Sequence, residues 1–130
     1  MKKIIVLILI ALVSFSCSSD DEALGVNVRL VNVSDFNLEN ISVNASTSNA
    51  NVVFTREVLA SGEATEYVNF PEVFPNPSGE AVVNGETLIW FGLTTGIDTP
   101  LFEGDYTCFI DIVDDHNQEK SLLIFLRSDD

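Results

Sequence analysis

One stretch near the C-terminus places ligand-type side chains close together: Asp111, Asp114, Asp115, His116, Asn117 and Glu119. Oxygen-rich groupings suit calcium, which takes about six to eight oxygen ligands. Asp115-x-Asn117-x-Glu119 repeats the opening of a calcium loop but lacks its glycine and its distal bidentate glutamate. The plainer reading is a solvated turn in an acidic chain. The expectation is therefore no bound metal, with Asp111, Asp114, Asp115, Asn117 and Glu119 as the calcium candidates. His116 is the sole histidine, and zinc needs several His or Cys ligands. No Gly-x-Ser-x-Gly elbow is present, and no glycine loop that would cradle a phosphate. Carboxylate pairs suited to glycoside hydrolysis are too numerous to single out. Nothing implies a cofactor, and no enzymatic role is expected.

The second group able to do something specific is aromatic: Tyr67, Phe70, Phe74, Trp90 and Phe91. Exposed rings stack on sugars or anchor protein partners. Trp90 and Phe91 are adjacent in a strand-like run, so they point to opposite faces. The expectation is that Trp90 belongs to the core and Phe91 packs beneath a loop. Tyr67, Trp90 and Phe91 are the binding candidates should either ring, or the tyrosine, face outward.

The N-terminus carries an address. Lys2 and Lys3 precede an apolar run over residues 4–13, then Ser14-Phe15-Ser16 and Cys17. A run of about ten residues suits the hydrophobic region of an export signal, whereas a membrane span needs about twenty. The pattern reads as a bacterial lipoprotein leader, cleaved before Cys17, whose thiol then takes a diacylglycerol and whose amine takes a palmitate-like chain. Two or more acyl chains anchor a protein stably, at about 0.8 kcal/mol per buried methylene. Ser14 stands where an aliphatic residue is usual. Ser14-Phe15-Ser16 also fits ordinary secretory cleavage, so plain secretion is the alternative. Ser18, Ser19, Asp20, Asp21 and Glu22 follow directly and read as a surface-export signal on an acidic tether. The expected location is the outer membrane, facing the cell surface.

Composition narrows the partners. The chain holds 20 carboxylates against 6 Lys and Arg, a formal charge of −14. Cleavage would remove Lys2 and Lys3 and deepen it. Such a surface repels phosphate backbones, so nucleic acid is excluded as a partner. With Cys17 acylated, Cys108 has no disulfide mate and reads as a small buried hydrophobe.

The elements that must position these residues are strands. Val26, Val28 and Leu30 alternate with Asn27 and Arg29. Residues 32–35 read as a turn. Ile41, Val43 and Ala45 form the next alternation, out of phase with Leu38, which predicts a bulge near Glu39-Asn40. Strands follow over residues 52–58 and 64–70, with Ser61-Gly62 as the turn between them and Pro71 ending the second ladder. Asn84-Gly85 between residues 81–83 and 87–93 is a strong hairpin signal. Tyr106, Cys108, Ile110 and Ile112 share one face of a strand, and residues 122–127 make the last one. The first and last strands are apolar enough to be central. The resulting expectation is a leader over 1–16, a lipidated cysteine and tether over 17–24, and over 25–130 a single all-β antiparallel sandwich of about seven strands.

Several segments carry a more specific likeness: Asn32-Val33-Ser34 with Phe36 and Asn40-Ile41-Ser42-Val43-Asn44, then Leu59-Ala60-Ser61-Gly62-Glu63 with Thr65 to Tyr67. Asn84-Gly85-Glu86-Thr87-Leu88 and Pro100-Leu101 through Glu103-Gly104-Asp105-Tyr106-Thr107 continue it in order. In these the chain resembles small Bacteroidota surface lipoproteins with an immunoglobulin-like or transthyretin-like β-sandwich. The resemblance implies a fold and an envelope address, and transfers no functional residue. Cys108 departs from it, standing where an aromatic residue is expected.

Together these readings anticipate a non-catalytic binding or structural module at the cell envelope, acting through the loops at 46–51, 72–79 and 94–103 or through a sheet edge. The alternatives are a glycan-binding accessory lipoprotein of a carbohydrate-uptake system and an assembly subunit with an envelope protein partner.

Overall fold

The computed structural model describes residues 25–92, 99–117 and 119–130. The leader, Cys17, the acidic stretch Ser19, Asp20, Asp21 and Glu22, and part of the 94–103 connection lie outside the described residues. The architecture is all-β: β1 (Val26–Asn32), β2 (Leu38–Asn44), β3 (Val53–Leu59), β4 (Val68–Phe70), β5 (Ser78–Val83), β6 (Glu86–Trp90), β7 (Gly104–Asp114) and β8 (Lys120–Ser128). They form two four-stranded sheets, β4-β1-β7-β8 and β3-β2-β5-β6, packed as a sandwich.

The alternation read along the chain decides which faces meet. Val26, Val28 and Leu30 of β1, Ile41 and Val43 of β2, Ala81 and Val83 of β5, and Cys108, Ile110 and Ile112 of β7 are buried between the sheets. Leu38, Leu59, Val52, Val73, Leu122 and Ile124 complete the core. Each fully buried Val, Leu or Ile contributes roughly 1.5–3 kcal/mol of burial free energy. Among the described residues no disulfide assists, and Cys108 is a free, buried thiol.

Two local signals produce the conformations they require. Asn84 and Gly85 have φ of 50° and 82°, the pair of positive values a type I′ hairpin needs, and they join β5 to β6. The predicted irregularity in β2 is present: pairing with β5 shifts between Glu39 and Ser42, and Asn40 sits at φ 45°. Asparagine tolerates that region better than most residues, so the bulge falls where the sequence can accept it. At Gly79 a Cβ would lie 2.5 Å from the Ser42 carbonyl oxygen and 2.7 Å from Ile124 Cδ1. The bare backbone there lets β5 approach both β2 and the opposite sheet.

Other readings are corrected. The strands number eight among the described residues, and β1 and β7 run parallel, in register from Val26 opposite Gly104 to Asn32 opposite Ile110. The fourth strand is shorter than expected: Val68–Phe70 forms the ladder, and Ala64 makes an isolated bridge to Val31. β1 is an interior strand, but β8 lies at a sheet edge. β8 is apolar on both sides because Leu123 and Phe125 alternate with the core-facing Leu122 and Ile124, not because it has neighbours on both sides. Asn32 is not a turn residue; it ends β1 and is fully buried. Its Nδ2 donates to the carbonyls of Phe36 (2.7 Å) and Leu59 (3.0 Å), and its Oδ1 accepts from the Ser34 amide (3.0 Å) and hydroxyl (2.7 Å). The turn proper is thus wrapped around an asparagine side chain.

Candidate functional site

The acidic residues are not brought together. Asp111 and Asp114 are an odd number of positions apart on β7, so they leave opposite faces of the sheet. Asp111 Oδ1 accepts from the Ile112 amide at 2.8 Å. Asp114, Asp115, His116, Asn117 and Glu119 are exposed around the β7–β8 turn, which the Asp115 amide closes on the Glu119 carbonyl at 2.9 Å. Among the described residues no three His, Cys, Asp or Glu side chains group as metal ligands would. Cys108 is equally far from chemistry, since burial pushes its thiol up to about 12. A nucleophilic cysteine needs the thiolate, which that shift suppresses at neutral pH.

The three aromatic candidates separate. Tyr67 lies over the outer face of the β4-β1-β7-β8 sheet. Its hydroxyl donates to Asp129 Oδ2 at 2.6 Å, and the Arg29 guanidinium sits 5.0 Å from its ring centroid. The ring is a structural lid on Arg29, not a vacant stacking platform. Trp90 is half-buried, packed against the core rather than within it. Phe91 departs from expectation: it is 84% exposed. β6 ends at Trp90 and the chain then turns at Gly92, with φ 82°, which leaves the Phe91 ring standing off the sheet.

Phe91 marks an opening in the sandwich. β6 and β8 are the edges of their respective sheets and pack beside each other along one side. Between them runs a groove of about 430 Å³ lined by Thr87, Leu88, Ile89, Trp90, Phe91, Lys120, Ser121 and Leu122. Ile89 is exposed beside Phe91. A shallower hollow of about 230 Å³ over Ser42, Asn44 and Glu80 also borders Phe91, so the ring is the crest between two depressions. Edge strands leave backbone donors and acceptors available for strand addition.

The loops, by contrast, are tied. The Phe74 amide donates to the Ala45 carbonyl (2.8 Å), the Thr47 hydroxyl donates to buried Glu72, and Val73 and Leu101 exchange backbone bonds of 3.0 and 2.8 Å. These contacts draw the 46–51 and 72–79 loops and Leu101 into one cap over the sandwich end, reducing their freedom to adapt to a ligand.

A polar cluster that the pattern of residue types did not signal lies on the outer face of the β4-β1-β7-β8 sheet, near the start of β7. Asp129 accepts from Thr107 Oγ1 (2.6 Å) and from the Tyr67 hydroxyl (2.6 Å), Arg29 Nε donates to Thr107 Oγ1 (3.0 Å), and the Asp129 amide donates to the Asp105 carbonyl (2.9 Å). Partial burial pulls the Asp129 carboxyl upward, but the hydrogen bonds from Thr107 and Tyr67 and the Arg29 charge outweigh it and hold the carboxyl below its ordinary value. The hydrogen bond to Asp129 pushes the Tyr67 hydroxyl up. These residues are 62 and 22 positions from Asp129, a separation no local motif encodes.

No family model matches the chain, and no curated protein matches it. Among solved structures it is similar to the NMR structure of a protein from Eubacterium rectale, with a TM-score of 0.51, 21% identity, and coverage of 82% of this chain and 93% of that one. At that identity the likeness shows a shared β-sandwich fold.

Proposed function

We propose that this chain is a non-catalytic binding or structural β-sandwich, displayed at the cell envelope through a lipid on Cys17 and engaging a protein partner along its β6 edge. The observation that carries the reading is Phe91, an 84% exposed aromatic ring beside the groove between two sheet edges. A large apolar ring at a groove lip is the usual form of an interface anchor. The unpaired edge supplies directional hydrogen bonds, and the groove supplies side-chain selectivity. The address rests on Lys2, Lys3, the apolar run and Cys17, followed by Ser19, Asp20, Asp21 and Glu22. Glycan capture has less support. Tyr67 and Phe91 flank strands of different sheets, Tyr67 is engaged with Arg29 and Asp129, and Trp90 is engaged with the core.

A photo-crosslinking residue at Phe91, in intact cells, is expected to join the chain to a specific envelope protein. The same probe at Val58, on the opposite edge, should not. Adducts that are the same at both positions would overturn the edge assignment, and binding to a saccharide array abolished by Phe91→Ala would favour the glycan reading instead. Cys17→Ala should lose labelled palmitate and leave the membrane fraction; unchanged partitioning would refute the anchor.

A further inference from the structure

The two sheets end in four edge strands, β4 and β8 in one and β3 and β6 in the other. Native edges avoid pairing with other chains by being short, charged or flanked by proline. Three of the four follow that rule. β4 has three residues and is followed by Pro71. β3 carries Arg56 and Glu57. β6 has five residues, opens on Glu86 and stops just before the turn at Gly92.

β8 is the exception. It has nine residues, Lys120–Ser128, and among the described residues no strand pairs with its outer edge. Its centre, Ser121-Leu122-Leu123-Ile124-Phe125-Leu126, contains no charge, proline or glycine. Leu122 and Ile124 are buried in the core, and Leu123 and Phe125 take the opposite face, so both sides of the strand are apolar. Six residues of this composition are the length from which a steric zipper is built. Lys120 and Arg127 bound the run, two of the six cations in a chain of formal charge −14. In the folded chain β7 holds the inner edge of β8, from Tyr106 opposite Ser128 to Asp114 opposite Lys120. Stacking beyond a single pair therefore requires β8 to come away from β7.

We infer that β8, once released from β7, is the element through which copies of this chain stack into a cross-β fibre, antiparallel and centred on Ile124. In that register Leu122 lies opposite Leu126 and Leu123 opposite Phe125, so the apolar residues from Leu122 to Leu126 all face one another. Lys120 meets Ser128, and Arg127 meets Ser121 with Glu119 at its diagonal, within reach of a long side chain. Parallel in-register stacking keeps the apolar matches but sets Lys120 on Lys120 and Arg127 on Arg127 in every layer. Like charges directly opposite are destabilising. The like pair in the antiparallel register, Glu119 with Asp129, falls beyond the ends of β8. The inference goes beyond the proposed function and needs neither the lipid on Cys17 nor a partner at Phe91.

The test is fibre growth by the full-length chain, followed by thioflavin T fluorescence. Each variant is held at its own urea unfolding midpoint, so that β8 is released equally in all of them. Proteolysis of the fibres with mass spectrometry should find a protected core over residues 120–128, and neither over the apolar leader at 4–13 nor over β6. Leu123→Lys, at an outward position opposite Asp111, should slow growth about tenfold by breaking the apolar run. Ser121 is exposed, so its variants leave the sandwich intact, which circular dichroism melts in water establish. Ser121→Asp sets a carboxylate opposite Arg127 and should speed growth, although it adds to the net negative charge. Ser121→Lys should slow growth, although it reduces that charge. Parallel stacking would make both variants slower, because each new charge would lie on its own copy. A core elsewhere, growth unmoved by Leu123→Lys, failure of Ser121→Asp to speed growth or of Ser121→Lys to slow it, or the absence of fibres would each overturn the inference.

Discussion

Asn32 uses every hydrogen-bonding capacity of its amide inside the core: two donors to Phe36 and Leu59 carbonyls, two acceptor positions filled by Ser34. Its backbone takes part too, accepting from the Gly62 amide at 2.8 Å and donating to the Glu63 carbonyl at 3.0 Å. The side chain thus holds the end of β1, the start of the β1–β2 turn and the end of β3 together. Asn32→Ala leaves these buried groups without partners and is expected to cost about 3 kcal/mol, since each orphaned buried polar group costs roughly 1–3 kcal/mol and local relaxation recovers part of it. Asn32→Asp should cost more, because it turns a donor toward two carbonyls into a buried acceptor. Urea unfolding of both variants measures this; a loss below about 1 kcal/mol for Asn32→Ala would show that water replaces the amide. Cys108 offers a contrast at the same scale, with burial alone setting its behaviour.

The element most dependent on side-chain support is β4, a three-residue edge strand. Tyr67, immediately before it, is held by Asp129, and Asn69 within it donates to Asn27 Oδ1 at 2.9 Å. The folded Asp129 carboxyl titrates below its ordinary value, so its contribution is present above the ordinary carboxylate range and is lost as pH falls through the folded value. Tyr67 is raised, so its contribution is present below about pH 10 and is lost as pH rises through the folded value. Amide exchange at Val68 and Phe70 is therefore expected to quicken below about pH 4, relative to the β2 amides. Asp129→Asn should flatten that dependence; equal pH slopes in both proteins would dissociate the C-terminal clasp from β4. At this scale the alternation of β1, β2 and β7 and the Asn84-Gly85 hairpin were legible in the sequence, because each depends on neighbours within a few residues. The edge position of β8 was not, since a strand apolar on both faces reads the same whether a neighbouring strand or an outer patch accounts for it. Phe91 was misplaced for a related reason: residue type says that a ring prefers cover, and only the end of β6 says whether cover is there. The Asp129 cluster depends on contacts between strands far apart in sequence, which periodicity does not encode.

As a whole, the molecule couples a well-packed apolar interior to a surface of strong negative charge. A formal charge of −14 on a chain of 130 residues opposes compaction through self-repulsion. Raising sodium chloride from about 20 mM to about 500 mM shortens the Debye length from roughly 20 Å to roughly 4 Å and is expected to raise Tm by several degrees. An unchanged or lower Tm would mean that local ion pairs outweigh the net repulsion. The parallel β1–β7 pair has a different consequence, in time. β1 finds its interior neighbour 78 positions away, so it stays half-partnered until β7 has been made. Loop closure on that scale must precede the contacts that reward it, which places folding in the slow, millisecond-to-second regime of β topologies. A nascent chain ending anywhere before β7 has no means of completing its first sheet, and the sandwich is assembled only once β7 and β8 have been made.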